Sequence, residues 1–225
     1  MNLSEKEDIA NIYRYWANNY NLVASLYDII FGSGQYRKQA IEALNLQPGD
    51  TVIDLCCGTG LNFPILQQAV GAQGKIIGVD FTDAMLEQAN KRVKEAGWSN
   101  VELVQSDVAE YEFPTSVDGV ISTFALTLVP EFDKVILNSC KALSYGKRIV
   151  LLDLRVPFNL LAPLAPLLNF LFVRPFGGRI EMASRHPWNS IVNYLRNVHI
   201  TELYMGFVYI AVGKKYLLPN FAKNN

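Results

Sequence analysis

Val52-Ile53-Asp54-Leu55-Cys56-Cys57-Gly58-Thr59-Gly60 decides how the rest of this 225-residue chain is read. An apolar run around one acid passes directly into a turn of small residues, and Asn62 to Val70 beyond it has the apolar spacing of a helix. A strand, a glycine turn and a helix in that order let a ligand lie against backbone amides and aim the helix N-terminus at its negative charge.

Working outward, Thr51 to Leu55, Lys75 to Val79, Val101 to Val104, Val117 to Ser122 and Lys147 to Asp153 read as strands separated by helical patterns. Asp83 to Ala96 sets Met85, Leu86, Ala89, Val93 and Ala96 on one face, with Thr82 at the capping position. Phe132 to Leu143 presents Val135, Ile136, Cys140 and Leu143 in the same way. Val198 to Met205 and Phe207 to Val212 are separated only by Gly206, which leaves room for an antiparallel hairpin and none for a crossover helix. Upstream, three helical pieces are expected, one through Tyr20, one over Leu22 to Phe31 and one over Gln35 to Leu46.

The predicted fold is α/β: a three-layer, doubly wound Rossmann-like sheet, mostly parallel, with a C-terminal antiparallel hairpin and an N-terminal helical cap. We read residues 1–225 as one domain: a cap over 1–48, a core over 50–153, an apolar insertion over 154–190, and a final helix and hairpin over 191–225.

Composition excludes several classes. Twenty Lys+Arg against 21 Asp+Glu give a net charge of −1, without the basic surplus a nucleic-acid binder needs. Three cysteines, two of them adjacent, make no disulfide framework, and no Cys/His spacing suits a metal. The opening MNLSEKED lacks the pattern of a secretory signal, which predicts a cytoplasmic protein.

Two cofactor classes use a strand, glycine turn and helix. A dinucleotide site wants a third glycine where this chain has Phe63, which disfavours NAD. The sequence instead resembles the class I S-adenosylmethionine-dependent methyltransferases, with Asp54, Cys56, Gly58 and Gly60 in the positions of their first motif and Cys56 standing for its first glycine. A small side chain there is expected to keep ordinary backbone angles.

The resemblance covers residues 50–153 most closely. It implies that Thr59 belongs to the cofactor turn, that Asp80 accepts from ribose hydroxyls, and that Phe81 and Met85 flank the adenine. Ser106, Asp107 and Val108 would meet the adenine edge, with Asp107 accepting from its amine, and Thr123 and Phe124 would face the methionine part. Tyr20 and Tyr27 of the cap are the candidates for its carboxylate. His186, before a predicted helix, and Asp153, at a strand end, are the candidates for a catalytic base.

The substrate end is apolar. Val156 to Val173 is eighteen residues without a charge, but Pro157, Pro163 and Pro166 argue against a membrane span. A lid over a lipophilic acceptor, peripheral membrane contact through 156–178, a homodimer interface, and burial within the monomer all remain open. Tyr27-Asp28 and Phe31-Gly32 with Tyr36-Arg37 resemble the caps of quinone C-methyltransferases and phospholipid N-methyltransferases, implying a quinol-type ring or a lipid amino head group as acceptor. A non-catalytic protein that keeps the cofactor turn and uses the apolar segment as a subunit contact is the alternative.

Overall fold

The computed structural model describes residues 3–216. Helices α1 (Leu3–Trp16), α2 (Tyr20–Phe31) and α3 (Ser33–Leu44) form the cap. The alternating core follows as β1 (Thr51–Leu55), α4 (Phe63–Val70), β2 (Lys75–Asp80), α5 (Asp83–Ala96), β3 (Val101–Gln105), β4 (Val117–Thr123), α6 (Phe132–Ala142) and β5 (Leu143–Leu154). After a run of short turns that includes α7 (Ala165–Leu168), the chain finishes with α8 (Pro187–Tyr194), β6 (Arg196–Leu203) and β7 (Val208–Lys214).

The seven strands lie in the order β3-β2-β1-β4-β5-β7-β6. β1 to β5 pair in parallel, while β7 is antiparallel to both β5 and β6. The predicted hairpin is therefore present, with its second strand inserted between β5 and the edge. Strand order reverses between β1 and β4, so their C-terminal ends open the crevice in which α/β sheets bind ligands. One core packs α6 and α8 against the sheet and the other packs α3, α4 and α5, with Ile53 on the first side and Val52 on the second.

Glycines permit two close approaches at this crevice. Gly60 has φ +73°, and a Cβ there would stand 2.5 Å from the Phe63 ring. A Cβ on Gly78 would meet the same ring at 2.7 Å and Cys57 Sγ at 3.0 Å. The Phe63 side chain is fully buried in the space these two glycines leave.

Three local expectations are corrected. The first helix ends at Trp16, and Tyr20 opens the second. Thr82 holds the capping position of α5, but its side chain makes no capping bond; the Thr82 amide donates to Asp80 Oδ1 at 2.8 Å instead. Cys56 departs from ordinary backbone angles, with φ +54° in the left-handed region. The turn imposes the geometry of a glycine on a residue with a Cβ, a cost of about 1–2 kcal/mol that its surroundings must sustain.

Among the described residues, no helix is long and apolar enough to cross a membrane. Residues 158–184 form instead a chain of short turns: a 3-10 turn over Ala162–Leu164, the single turn of α7, a π-type turn over Asn169–Val173 and two further 3-10 turns over Arg174–Phe176 and Ile180–Ser184.

Candidate active site

Where β1, β2 and β4 end beneath α1, a cleft of about 120 Å³ opens, lined by Cys56, Gly58, Asp80, Met85, Val108 and Thr123 among others. Asp80 is almost wholly buried, and its carboxylate accepts from the amides of Gly58 and Thr82, both at 2.8 Å. Burial pushes its pKa up, and those amides pull it back. Burial, with Asp80 and Asp54 nearby, likewise raises the Cys56 thiol, which stays protonated and is no nucleophile.

Helix α1 covers this cleft through charged contacts. Lys6 Nζ lies 2.5 Å from Asp107 and 3.1 Å from Glu131, Arg14 pairs with Asp83 at 2.8 Å, and Arg185 pairs with Glu5 at 3.0 Å. Below the cleft, Asn62 Nδ2 donates to both oxygens of buried Asp54 and to Thr123 Oγ1. Arg37 of α3 enters the same network, donating from Nη1 to Asn62 Oδ1 and to Thr123 Oγ1. Burial pushes Asp54 up to about 7 against the pull of Asn62 and Arg37.

A second cavity of about 260 Å³ lies beside the first. Tyr13, Tyr20, Phe124 and Leu128 line both, so these four form a collar between them. The roof of this chamber is α2 and the segment around α7. The Tyr27 hydroxyl donates to the Phe172 carbonyl at 2.7 Å, and the Phe31 ring packs edge-on against Phe172 at 5.1 Å. Asp153 lines the chamber, with its carboxylate accepting from the amides of Thr127 and Leu154 at 2.8 Å. Burial outweighs those two bonds and pushes its pKa up to about 6, a range suited to proton transfer near neutral pH.

The profile of the ubiE/COQ5 methyltransferase family matches residues 1–199. The chain belongs to this family. Among similar proteins, a demethylmenaquinone methyltransferase of Listeria welshimeri is 32% identical over 124 residues, 55% of this chain and 52% of the relative. Another from Bacillus cereus is 27% identical over 182 residues, 80% of this chain and 76% of that one. The chain thus matches about half the length of the first relative. The crystal structure of geranyl diphosphate C-methyltransferase from Streptomyces coelicolor A3(2) superposes with a TM-score of 0.63 at 12% identity, covering 81% of this chain and 79% of that one. At that identity the likeness is one of fold. The resemblance to class I S-adenosylmethionine-dependent methyltransferases is borne out by the family match and by the sheet order.

In this ubiE/COQ5 family member the expected site residues separate into groups. Tyr20, Cys56, Gly58, Asp80, Phe81, Met85, Asp107, Val108, Thr123 and Phe124 line the cleft. Asp54, Thr59, Gly60 and Ser106 do not. Asp54 and Gly60 shape the turn from behind, the Thr59 hydroxyl donates to Asn21 Oδ1, and the Ser106 hydroxyl donates to the Asp107 carbonyl. Tyr27 lines only the chamber, and its hydroxyl is committed to Phe172. That placement removes it from the carboxylate role and makes it part of the roof.

His186 is corrected as a candidate base. It precedes α8, its ring packs at a tilt against Trp188 with centroids 4.6 Å apart, and it lines neither cavity. The Pro187 that starts the helix fixes this position. His199 lies exposed on β6.

Lys6, Tyr13, Asn62 and Arg37 are participants to which the sequence reading gave no site role. Asn62 and Arg37 carried a signal, since Asn62 stands at the start of the helix after the glycine turn and Arg37 ends a stretch whose one earlier charge, from Tyr15 onward, is Asp28. Lys6 reaches Asp107 across 101 residues of sequence, and nothing local announces it.

Proposed function

We propose that the chain transfers a methyl group from S-adenosylmethionine to a small lipophilic acceptor, with a quinol-type ring favoured over a lipid amino head group. The observation that carries this reading is the collar, a direct junction between a polar-floored cleft and an apolar chamber. The demethylmenaquinone methyltransferases among the relatives support the ring acceptor.

The residues present suit the cofactor. A Cβ on Gly58 would meet nothing within 4 Å, so the turn leaves open space above its backbone. The Asp80 carboxylate suits paired hydroxyls, buried Met85 offers an apolar face to a base, and Asp107 suits an exocyclic amine. Tyr20 and Thr123 would border its amino-acid end. When bound, S-adenosylmethionine supplies an electrophilic methyl on a sulfonium, which needs an aligned acceptor more than an activated enzyme nucleophile.

The chain's own residues do the rest. The collar holds the acceptor at the junction, the chamber walls exclude water, and Asp153 is poised to hold a proton released by the acceptor. Calorimetric titration with S-adenosylhomocysteine tests the cofactor: binding is expected, and its absence would sink the reading. Label transfer from methyl-labelled S-adenosylmethionine to a reduced demethylated naphthoquinone tests the acceptor. Label appearing only in ethanolamine lipids would reassign it, and no transfer despite cofactor binding would favour the non-catalytic alternative.

We assign a bilayer as the partner of the roof. Leu22, Leu26 and Ile29 of α2 are exposed, as are Leu160, Leu164, Leu167 and Leu171 beside it, with Leu160 at 97%. The inner faces of the same elements line the chamber through Tyr27, Phe31, Leu168 and Phe172. Membrane contact and chamber are therefore continuous, which suits an acceptor that partitions into lipid. Exposed Arg174 stands next to this segment and complements anionic lipid. Sedimentation with vesicles of phosphatidylcholine and phosphatidylglycerol is expected to carry the protein down. A homodimer by ultracentrifugation that ignores vesicles would overturn the assignment.

A further inference from the structure

We infer that Arg37 is an anion seat in the wall of the acceptor chamber, pairing with an oxygen of the acceptor in its deprotonated form. The inference rests on the methyl-transfer reading and adds a residue to it.

Among the described residues, no carboxylate is hydrogen-bonded to Arg37. Its Nη1 donates to two neutral oxygens, Asn62 Oδ1 at 3.2 Å and Thr123 Oγ1, and its guanidinium carbon stands 5.1 Å from the centre of the Phe124 ring. Asp54, on the strand beneath, feels the charge of Arg37 without a hydrogen bond to it, and its two carboxylate oxygens accept from the Asn62 amide. Asp28 is engaged by the Gly34 amide at 2.6 Å. Among the described residues, Nε and Nη2 therefore have no protein acceptor.

A half-buried guanidinium with unused donors and no anionic partner is left electrostatically unsatisfied. Arg37 remains in that condition in the wall of a cavity, where its planar guanidinium can offer paired donors to an oxygen. An anionic oxygen from outside the protein completes it.

Two sources of that oxygen are chemically alike: the cofactor's carboxylate and a phenolic oxygen of the acceptor. Arg37 belongs to the lining of the chamber and not to that of the cleft. That placement assigns the seat to the acceptor. The acceptor hydroxyl gives its proton to Asp153, which lines the same chamber, and the O–H electron pair stays on oxygen beside the guanidinium. The ring carbon next to this oxygen becomes electron-rich and forms the new bond to the methyl, while the S–C pair stays on sulfur. The hydrogen of that carbon leaves as a proton to solvent, and Asp153 returns its proton to the oxygen. One proton is released overall.

4-Nitrophenol tests the seat without knowledge of the acceptor, because its phenolate absorbs where the phenol does not. Besides Arg37, the charged groups lining the chamber are Asp153, Arg155 and Arg179. In the wild-type protein the ionisation midpoint of the bound probe should fall by about one pH unit or more. Arg37→Gln should abolish the shift, and Arg37→Lys should keep part of it.

An unshifted probe in the wild-type protein, or an equal shift in Arg37→Gln, would overturn the proposal whether or not other variants fold. A loss of S-adenosylhomocysteine affinity of about tenfold or more in Arg37→Gln, with circular dichroism unchanged, would give the seat to the cofactor's carboxylate and overturn it too. Failure of the wild-type protein to bind S-adenosylhomocysteine would defeat the methyl-transfer reading and leave the probe shift standing as a separate result.

Discussion

The cleft and the roof of the neighbouring chamber are held by different physics, although cleft and chamber meet at four side chains. The cleft is built from backbone: strand ends, a turn with positive φ at Cys56, Gly58 and Gly60, and a carboxylate bonded to two amides. Its cover is tied by ion pairs such as Lys6–Asp107. The roof has few such fixtures. Short turns succeed one another from Ala162 to Ser184, held by aromatic contacts among Tyr27, Phe31, Phe172 and Phe176. Position is specified atom by atom in the first region, and polarity in the second. Substitutions should therefore act sharply in the cleft and weakly in the roof.

The largest expected effect is on cofactor binding. Asp80→Ala removes a buried acceptor of charged hydrogen bonds and should weaken S-adenosylhomocysteine by roughly 100-fold, about 3 kcal/mol, in a calorimetric titration. An unchanged affinity would mean that the cleft does not work through Asp80.

Gly60→Ala comes next. Its Cβ would stand 2.5 Å from Phe63 at a φ of +73°, and the expected loss is roughly 2 kcal/mol of stability by urea unfolding. Adding Phe63→Leu should recover part of that loss, whereas no loss at all would show that the turn yields as readily as the roof.

Protonation offers a milder test. Burial raises Asp54 to about 7 in the folded protein, against about 4 when unfolded. The folded state thus holds this proton more tightly, so its contribution is full below pH ~4 and is lost as pH rises through about 7. Asp54→Asn should flatten this part of the stability profile between about pH 4 and pH 7, where a single group changes stability by at most about 1.4 kcal/mol per pH unit. An unaltered profile would show that Asp54 is not the buried acid responsible.

The smallest effect on folding belongs to the roof. Leu160→Asp with Leu167→Asp should change stability by no more than about 0.5 kcal/mol while abolishing sedimentation with vesicles. A large loss of stability would mean that these side chains are packed, which would break the contrast between the two regions.

The same division explains what could be read in the sequence. Strands β1 to β5, the helices α5 and α6 and the terminal hairpin follow from periodicity, because alternating elements bury one face each. The glycine turn and Asp80 were legible because a strand end and a tight turn fix their surroundings over a few residues. Cys56 was misread, since residue type states a preference for φ and the surrounding turn overrules it. His186 was misread for a related reason: a rare imidazole near a helix start looked chemical, while packing against Trp188 holds it away from both cavities. Lys6 and Arg37 reach their partners across 101 and 86 residues of sequence, and such pairings depend on the finished topology. The roof announced only its lack of charge, because no repeating pattern specifies a succession of single turns.

The collar also bears on the stereochemistry of the reaction. Tyr13, Tyr20, Phe124 and Leu128 include neither a thiol nor an imidazole, and burial holds the phenols of Tyr13 and Tyr20 above their ordinary range, so both stay protonated. With the Cys56 thiol also held protonated, no side chain at the junction is equipped to carry the methyl group between the two ligands. On the proposed reading, donor and acceptor must be present together, and a single displacement inverts the configuration of a methyl group made chiral with hydrogen isotopes.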